Sequence, residues 1–399
     1  MTELLDQLPV TLKHAILGLL GKFLPEWALP IASAVLSISA ILMVFPLIFA
    51  LTTVVERKVL GRIQNRPGPN RVGLPFTNLR LAGFGQFIAD GIKALIKEDI
   101  VPRGADKVVH FLAPIALVIP VLLAYSVLPV GRNLTALVLD AGVLFVFAVG
   151  SATELSVFMA GWSSRNKYAL LGAMRAIAQM VSYELPLILS TVTVIMMTGT
   201  LSTTRIVELQ AGGWWHWHIA TPWGLAGFLL FLTAATAEAN RTPFDLPEAE
   251  SEIIAGYFTE YSGFKFALFF LGEYLGLFVM SGMGITLFLG GWHAPTLSTA
   301  FVPSWAWFFL KLGAFVMFFI WLRGTLPRLR QDQLMNLAWK FMLPLALINI
   351  LVAGVWHFME PGATRWLVCT ALIVAPYLAL SNALYTGRGI GKRTYRYAE

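Results

Sequence analysis

The sequence predicts an all-α integral membrane protein. It reads as a bundle of about nine transmembrane helices with a cytoplasmic-side amphipathic helix and a short acidic loop helix. Three observations lead there. Of 399 residues, 57% are hydrophobic and 13% are charged, where a soluble domain carries about 25% charged residues. The apolar residues come in long blocks, and residues 28–55 hold no charge at all. A bilayer core about 30 Å thick needs roughly 20 such residues, so this block spans it with tilt. Finally, the basic residues collect in alternate loops.

Spans are expected near 29–55, 108–129, 137–160, 176–198, 220–238, 264–290, 303–322, 341–358 and 366–385. With these boundaries, 23 of the 29 Lys and Arg fall in one set of alternate loops. Only Lys13, Lys22, Arg132, Arg205 and Arg365 fall in the other, and Lys311 lies inside a span. Such a split follows the positive-inside rule and puts the N-terminus outside and the C-terminus in the cytoplasm. The net charge of +7 therefore reads as a determinant of topology and excludes a nucleic-acid partner. No cleavable signal is expected, because the chain opens with Glu3 and Asp6 instead of a basic stretch before an apolar run. The one cysteine, Cys369, makes no disulfide within the chain and holds no iron–sulfur cluster or zinc by itself. In its apolar stretch it reads as a small buried hydrophobe.

Residues 79–97 differ from the spans. Leu81, Phe84, Phe87, Ile88, Ile92, Leu95 and Ile96 recur at helical spacing, with Arg80, Gln86, Asp90, Lys93 and Lys97 between them. This is an amphipathic helix on the cytoplasmic surface. It acts either as a plain interfacial anchor or as one wall of a ligand entrance facing the lipid. The run Trp214, Trp215, His216, Trp217, His218 reads as an aromatic belt at the opposite interface; its two histidines lack a third ligand, and no metal site is expected.

Chemistry is sought where charge is out of place. An acid in mid-span costs about 2.5–3.5 kcal/mol on insertion, and such residues face a bundle interior or a wet cavity. Glu154, Glu184, Glu238 and Glu273 lie in or at the ends of spans, with Lys311 in another. They form either a polar path or separate helix-locking ion pairs. The loop 239–263 is a second concentration, with Asp245, Glu248, Glu250, Glu252 and Glu260. Asp245 three residues before Glu248, with Pro247 between, matches a capping box that starts a short helix. Capping accounts for Glu248 and leaves the other acids without a role. Two carboxylates one helical turn apart, about 6 Å, repel by roughly 2.8 kcal/mol at an effective dielectric of 20. That equals about two pKa units, enough for the cluster to take up or release a proton when its surroundings change. The alternative is a permanently negative loop facing the positive one at 57–107. In 57–71, Arg57, Lys58, Arg62, Arg66 and Arg71 precede or surround Pro67, Gly68, Pro69 and Asn70. The prolines end any helix by Asn65, and the basic residues hold orientation or bind anionic lipid. With no nucleotide-binding glycine motif, nucleophile elbow or metal-ligand cluster, the chain reads as one that handles protons and carries no redox cofactor of its own.

Four strings carry a resemblance to a known family. They are Glu56-Arg57-Lys58-Val59-Leu60-Gly61 running on to Gly73, Gly161-Trp162-Ser163-Ser164-Arg165-Asn166-Lys167-Tyr168 running on to Glu184, Ala237-Glu238-Ala239-Asn240-Arg241-Thr242-Pro243-Phe244-Asp245-Leu246 running on to Glu252, and Leu326-Pro327-Arg328-Leu329-Arg330-Gln331-Asp332-Gln333-Leu334-Met335. In this order, over about residues 30–350, the chain resembles the H subunits of proton-pumping NADH–quinone oxidoreductase, respiratory complex I, whose mitochondrial counterpart carries the number 1.

The resemblance implies a subunit of a translocase in the bacterial cell inner membrane that joins the redox arm to the membrane arm. Its partners would be the other membrane and peripheral subunits, the lipid bilayer, and ubiquinone or menaquinone as substrate. No FMN, iron–sulfur cluster or metal would be bound by this chain. Much of the quinone chamber would be formed here, with Arg57, Arg66, Asp90, Lys93, Arg241, Phe244, Asp245, Arg323, Arg328 and Arg330. The proton path would take Glu184, Glu238, Glu248, Glu250, Glu252, Glu260, Glu273 and Lys311, with Glu154 left open. Asp90 and Lys93 turn the amphipathic helix toward the entrance reading. The family core has eight spans, which divides the chain into an N-terminal extension at 1–27, a membrane domain at 28–358 and an extra span with a basic tail at 359–399. A secondary ion transporter using the same acids is the rival of another class, but it would carry paired repeats, and none is visible. A narrower rival is the related membrane subunit of hydrogenase-like complexes, which has no quinone chamber.

Overall fold

Lipid offers no hydrogen-bond partner, so a membrane-buried backbone must meet its own donors and acceptors, and long apolar blocks fold as helices. A computed structural model describes residues 2–22, 25–73, 81–245, 255–296 and 301–386. Among them every regular element is helical. Helix α1, Thr2–Leu20, precedes α2, Leu29–Ile63. The amphipathic α3, Gln86–Ile96, follows, and then α4, Lys107–Ala124, α5, Gly142–Ser163, and α6, Lys167–Thr198. A short α7, Thr203–Glu208, leads to α8, Pro222–Glu238. Next come α9, Gly263–Phe288, and α10, Ser304–Thr325. Helix α11, Gln331–Leu337, passes through one π-helical turn, Ala338–Met342, into α12, Leu343–Phe358, and α13, Ala363–Thr386, follows.

Among the described residues, eight helical runs are long and apolar enough to cross a membrane: those built on α2, α4, α5, α6, α9, α10, α11–α12 and α13. The other expected span, α8, has 17 residues, about 25 Å. It sits inside the bundle against α6, α9, α12 and α13. The run expected from 341 begins at Gln331 and the one expected from 137 begins at Gly142, and two further boundaries bear on the site. Helix α2 does not stop at 55; it continues through Glu56, Arg57 and Lys58 to Ile63, because Glu56 finds partners inside the protein. Helix α6 starts at Lys167, capped by the Asn166 side chain, which accepts from the Tyr168 N–H at 2.9 Å. The amphipathic segment is helical over Gln86–Ile96, and residues 79 and 80 lie outside the described residues.

Helix ends are stitched at two levels. At the end bearing the basic loops, here the basic end, the Asp106 N–H donates to the Ser163 carbonyl at 3.0 Å and Asp106 caps α4. At the opposite, far end, the Val143 N–H donates to Leu201 O at 3.0 Å and Thr203 Oγ1 to Val127 O at 2.9 Å. Between them lies one large apolar core that includes Tyr183, Leu187, Phe231, Phe278 and Phe288, with the Cys369 side chain also buried in it.

Helices α5 and α6 meet closely at the basic end because Gly161 has no side chain. A Cβ there would stand 2.4 Å from Ala173 Cβ and 2.9 Å from the Ala169 carbonyl oxygen. Overpacking of this kind costs typically 1–3 kcal/mol. Gly161→Ala is therefore expected to lower the thermal stability of the assembled protein. Gly150→Ala, whose Cβ would meet nothing nearer than Met280 Cε at 3.9 Å, is expected to leave it unchanged. Thermal denaturation of the two purified variants side by side checks the difference.

Candidate functional site

The extra turns of α2 bring Glu56 to the centre of a polar cluster at the basic end. Its carboxylate accepts from Arg323 near the end of α10 and from the Tyr274 hydroxyl on α9. Arg241, just past α8, stands 3.7 Å from the same Glu56 oxygen, and its guanidinium stacks over the Tyr274 ring at 3.9 Å. The Glu56 side chain is 6% exposed, Arg241 10% and Arg323 33%. Among the described residues, one carboxylate stands between two guanidiniums. A narrow cavity opens beside it, lined by Thr52, Leu277, Val316 and Phe319 besides the charged groups.

The same helix end holds α3. Arg57 donates to Asp90 at 2.6 Å, and Gln86 donates to the other Asp90 oxygen at 3.0 Å. Lys58 donates to the Ala82 carbonyl and lies over the Phe84 ring. On α3 the apolar Ile92, Leu95 and Ile96 remain exposed, as does Lys93. Asp245, 5% exposed, pairs with Arg328 at 3.0 Å, and its Oδ1 has no hydrogen-bond partner among the described residues. Phe244 is buried against Tyr183, with ring centroids 5.3 Å apart. Arg66 and Arg330 stay outside the cluster: Arg66 is exposed and bonds Gln64, and Arg330 pairs with Asp332 at the surface.

The turn after α8 couples this cluster to the acids deeper in the bundle. Asn240 takes φ +48, a left-handed conformation that asparagine tolerates better than most residues. Gln179 on α6 pins the turn by donating to the carbonyls of Ala237 at 2.8 Å and Phe244 at 2.7 Å. Glu238, the last residue of α8, lines a cavity between α4, α5, α6, α8 and α9 together with Glu273. That cavity offers about 60 Å³ to water centres, room for roughly four waters. Glu273 accepts from the Tyr257 hydroxyl at 2.7 Å. Glu238 lies within electrostatic reach of Glu184 and Glu154, and the Ser151 hydroxyl on α5 donates to Glu184 on α6. Glu154 Oε1 and Glu238 Oε2 are cut off from solvent without a hydrogen-bond partner among the described residues. Among the described residues, no Lys or Arg stands within ion-pair distance of Glu154, Glu184 or Glu238. Among the described residues these three acids are therefore not in helix-locking ion pairs.

Glu260 accepts from the Asn166 side chain at 2.7 Å, tying the end of the acidic loop to the turn between α5 and α6. Glu248, Glu250 and Glu252, with the expected capping box, lie outside the described residues. Lys311 is not brought to the acids. It sits seven residues into α10 from the far end, where its ammonium donates to the carbonyls of Leu289 at 2.6 Å, Gly291 at 2.9 Å and His293 at 2.8 Å. Three donors meet three acceptors, and Trp217 covers the charge with its ring face at 4.0 Å. Lys311 is a cap on the C-terminus of α9, where carbonyls are left over and positive charge is favoured. Burial and the Lys311 charge hold the His293 imidazole below its usual range.

Sequence reading passed over Glu56, Tyr274, Tyr257 and Gln179. For Glu56 the signal was available: three consecutive charges at the end of an apolar block suit a helix that continues and turns the first of them inward. The neutral three carry no such mark.

Residues 36–354 match the NADH dehydrogenase family. The chain is 50% identical over 332 residues to the NADH-quinone oxidoreductase H subunit of Dehalococcoides mccartyi strain CBDB1, covering 82% of this chain and 87% of that protein. It is 46% identical over 341 residues to one such H subunit of Geobacter metallireducens, covering 83% and 98%. With the H subunit of Bacillus cytotoxicus it shares 46% over 317 residues, covering 79% and 92%. Matched along most of its length and at nearly half of the aligned positions, the chain belongs to the family of NADH-quinone oxidoreductase H subunits.

Proposed function

We propose that this membrane protein works with the other membrane and peripheral subunits of its complex, that its basic end forms much of the quinone chamber, and that its mid-bundle acids couple quinone reduction to proton translocation. The observation that carries the reading is the buried Glu56–Arg241–Arg323 cluster, three residues by chain from the first of the acids, Glu238. In this reading the basic end is cytoplasmic, as the loop charges favour, and the N-terminus is outside, in a bacterial inner membrane.

The entrance lies beside α3. Its exposed Ile92, Leu95 and Ile96 suit the acyl boundary, and the Arg57–Asp90 pair holds its polar face against α2. A quinone entering there would direct its carbonyl oxygens to guanidinium donors, with Arg241 and Arg323 nearest the Glu56 cavity. Arg328 and Asp245 brace the turn that carries Phe244. Reduction of a quinone consumes two electrons, delivered by the peripheral subunits, and two protons. Either the loss of those protons or a shift of Arg241 changes the field at Glu238. Arg241 and Glu238 stand on the same short turn after α8, so a displacement of that turn on quinone reduction would move a proton along the Glu238, Glu184, Glu154 series. Glu273 joins through the shared cavity. Glu248, Glu250, Glu252 and Glu260 would respond on the chamber side. Lys311, held by three carbonyls, takes no part in this path.

A transporter working alone is less well supported, since no repeat pairs the acids with a second half.

Two outcomes are expected. Asp90→Asn keeps the shape of the α2–α3 contact but removes its charge. For so exposed a pair the loss of contact energy is at most ~1 kcal/mol, and the quinone reductase rate should fall modestly. NADH oxidation by an artificial acceptor acting upstream should be unchanged, and an equal fall in both rates would mean failed assembly. Glu184→Gln still accepts the Ser151 hydroxyl and should assemble. The ratio of protons moved to quinone reduced, read in sealed vesicles with a pH-sensitive dye, should fall, with partial recovery in Glu184→Asp. A Gln variant that pumps like wild type leaves Glu184 a structural role only.

A further inference from the structure

Helix α1 sets Asp6 and Lys13 against the bundle and exposes a leucine stripe beside a polar one of Gln7, Thr11 and His14. Asp6 Oδ1 accepts from the Ser304 backbone N–H at 2.6 Å and from its hydroxyl at 2.5 Å, and Lys13 Nζ donates to Ser37 Oγ at 2.8 Å. The other face carries Leu5, Leu8, Leu12 and Leu19, each 41–61% exposed. An amphipathic helix in water presents its charges outward and its leucines inward.

The two tethers fix how α1 lies. Helices α2 and α10 run in the same direction, and Glu56 and Arg323 set them level at the basic end. Counting 19 residues back from each, about 28 Å, reaches Ser37 and Ser304, so both tethers stand at one depth. Asp6 and Lys13 are seven residues apart, about 10 Å along α1, which matches the roughly 8–10 Å between the axes of packed helices. Helix α1 therefore reaches from Ser37, eight residues inside α2, to Ser304, the first residue of α10. Beside it α2 exposes Ile31, Val35, Ile38 and Leu42, a lipid-facing row at helical spacing, and Trp27, in the link from α1 to α2, is 73% exposed, as suits a tryptophan at a membrane interface. The leucine stripe continues this lipid-facing surface.

We propose that α1 is an in-plane membrane anchor whose leucine stripe seats in the acyl-chain boundary of the leaflet at the far end, while Asp6 and Lys13 fasten it to α10 and α2. Asp6 also supplies the N-terminal acceptor that Pro303 does not give α10.

The experiment uses the whole complex in phospholipid nanodiscs, with Cys369→Ser and a nitroxide attached at Leu12→Cys. The label is expected to collide more often with dissolved oxygen than with a water-soluble nickel chelate, at a depth of about 5–10 Å. Adding Asp6→Ala is expected to raise the mobility of the label. Faster relaxation with the nickel chelate, a label facing water, overturns the proposal. So does a slow label protected from both reagents, which means that a protein partner covers the stripe. Unchanged mobility with Asp6→Ala overturns the tether. If the Leu12→Cys protein does not assemble, Leu19→Cys is read by the same criteria.

Discussion

A charge in a low-dielectric interior must be answered, and Glu56 is where this bundle answers it. Isolated, that carboxylate would cost several kcal/mol to bury. Flanked by Arg241 and Arg323 and bonded by Tyr274, it becomes the knot joining α2, the turn after α8, α9 and α10. Each of those elements carries something the site needs. Helix α2 holds Arg57 and so positions α3, the turn holds Phe244 and Asp245, and α9 holds Glu273. Removing Glu56 would leave two guanidiniums facing each other, so the arrangement depends on this one negative charge.

The two ends of the bundle use charge in opposite ways. At the basic end, among the described residues, one buried anion is shared between two cations. At the far end the charges are spent on helix termini: Lys311 closes the C-terminus of α9 and Asp6 the N-terminus of α10. Between them lie Glu154, Glu184 and Glu238 with no cation in ion-pair distance among the described residues. A region whose charges are all paired holds its state, whereas one with unpaired carboxyls and room for water responds to a field applied nearby. That contrast in partners separates the acids from Lys311.

Charge-free blocks and loop charges made the spans legible in the sequence, and acids out of place made Glu184, Glu238 and Glu273 legible as a group. Lys311 satisfied the same criterion for a different reason. Its partners are backbone carbonyls from the loop after α9, and a carbonyl has no letter of its own in a sequence. Gly290 and Gly291, with φ +69 and +52, were the available sign that α9 ends there and leaves acceptors to be met. Gln179, Tyr257 and Tyr274 act through hydroxyl and amide groups that any helix tolerates, so composition could not separate them from packing residues. Glu56 was hidden by a span boundary drawn one residue before it.

The claim that Glu56 holds both guanidiniums is tested most directly by a double-mutant cycle on assembled complex in membranes, with quinone reductase rate per complex as the readout. Glu56→Gln, Arg323→Gln and the double variant are compared with wild type. Coupled residues in one ion-pair network interact by about 0.5–3 kcal/mol. The expected result is that the double variant loses much less than the two single losses multiplied, because removing Arg323 relieves the repulsion exposed by Glu56→Gln. Losses that simply multiply, with each single variant assembling normally, would contradict it.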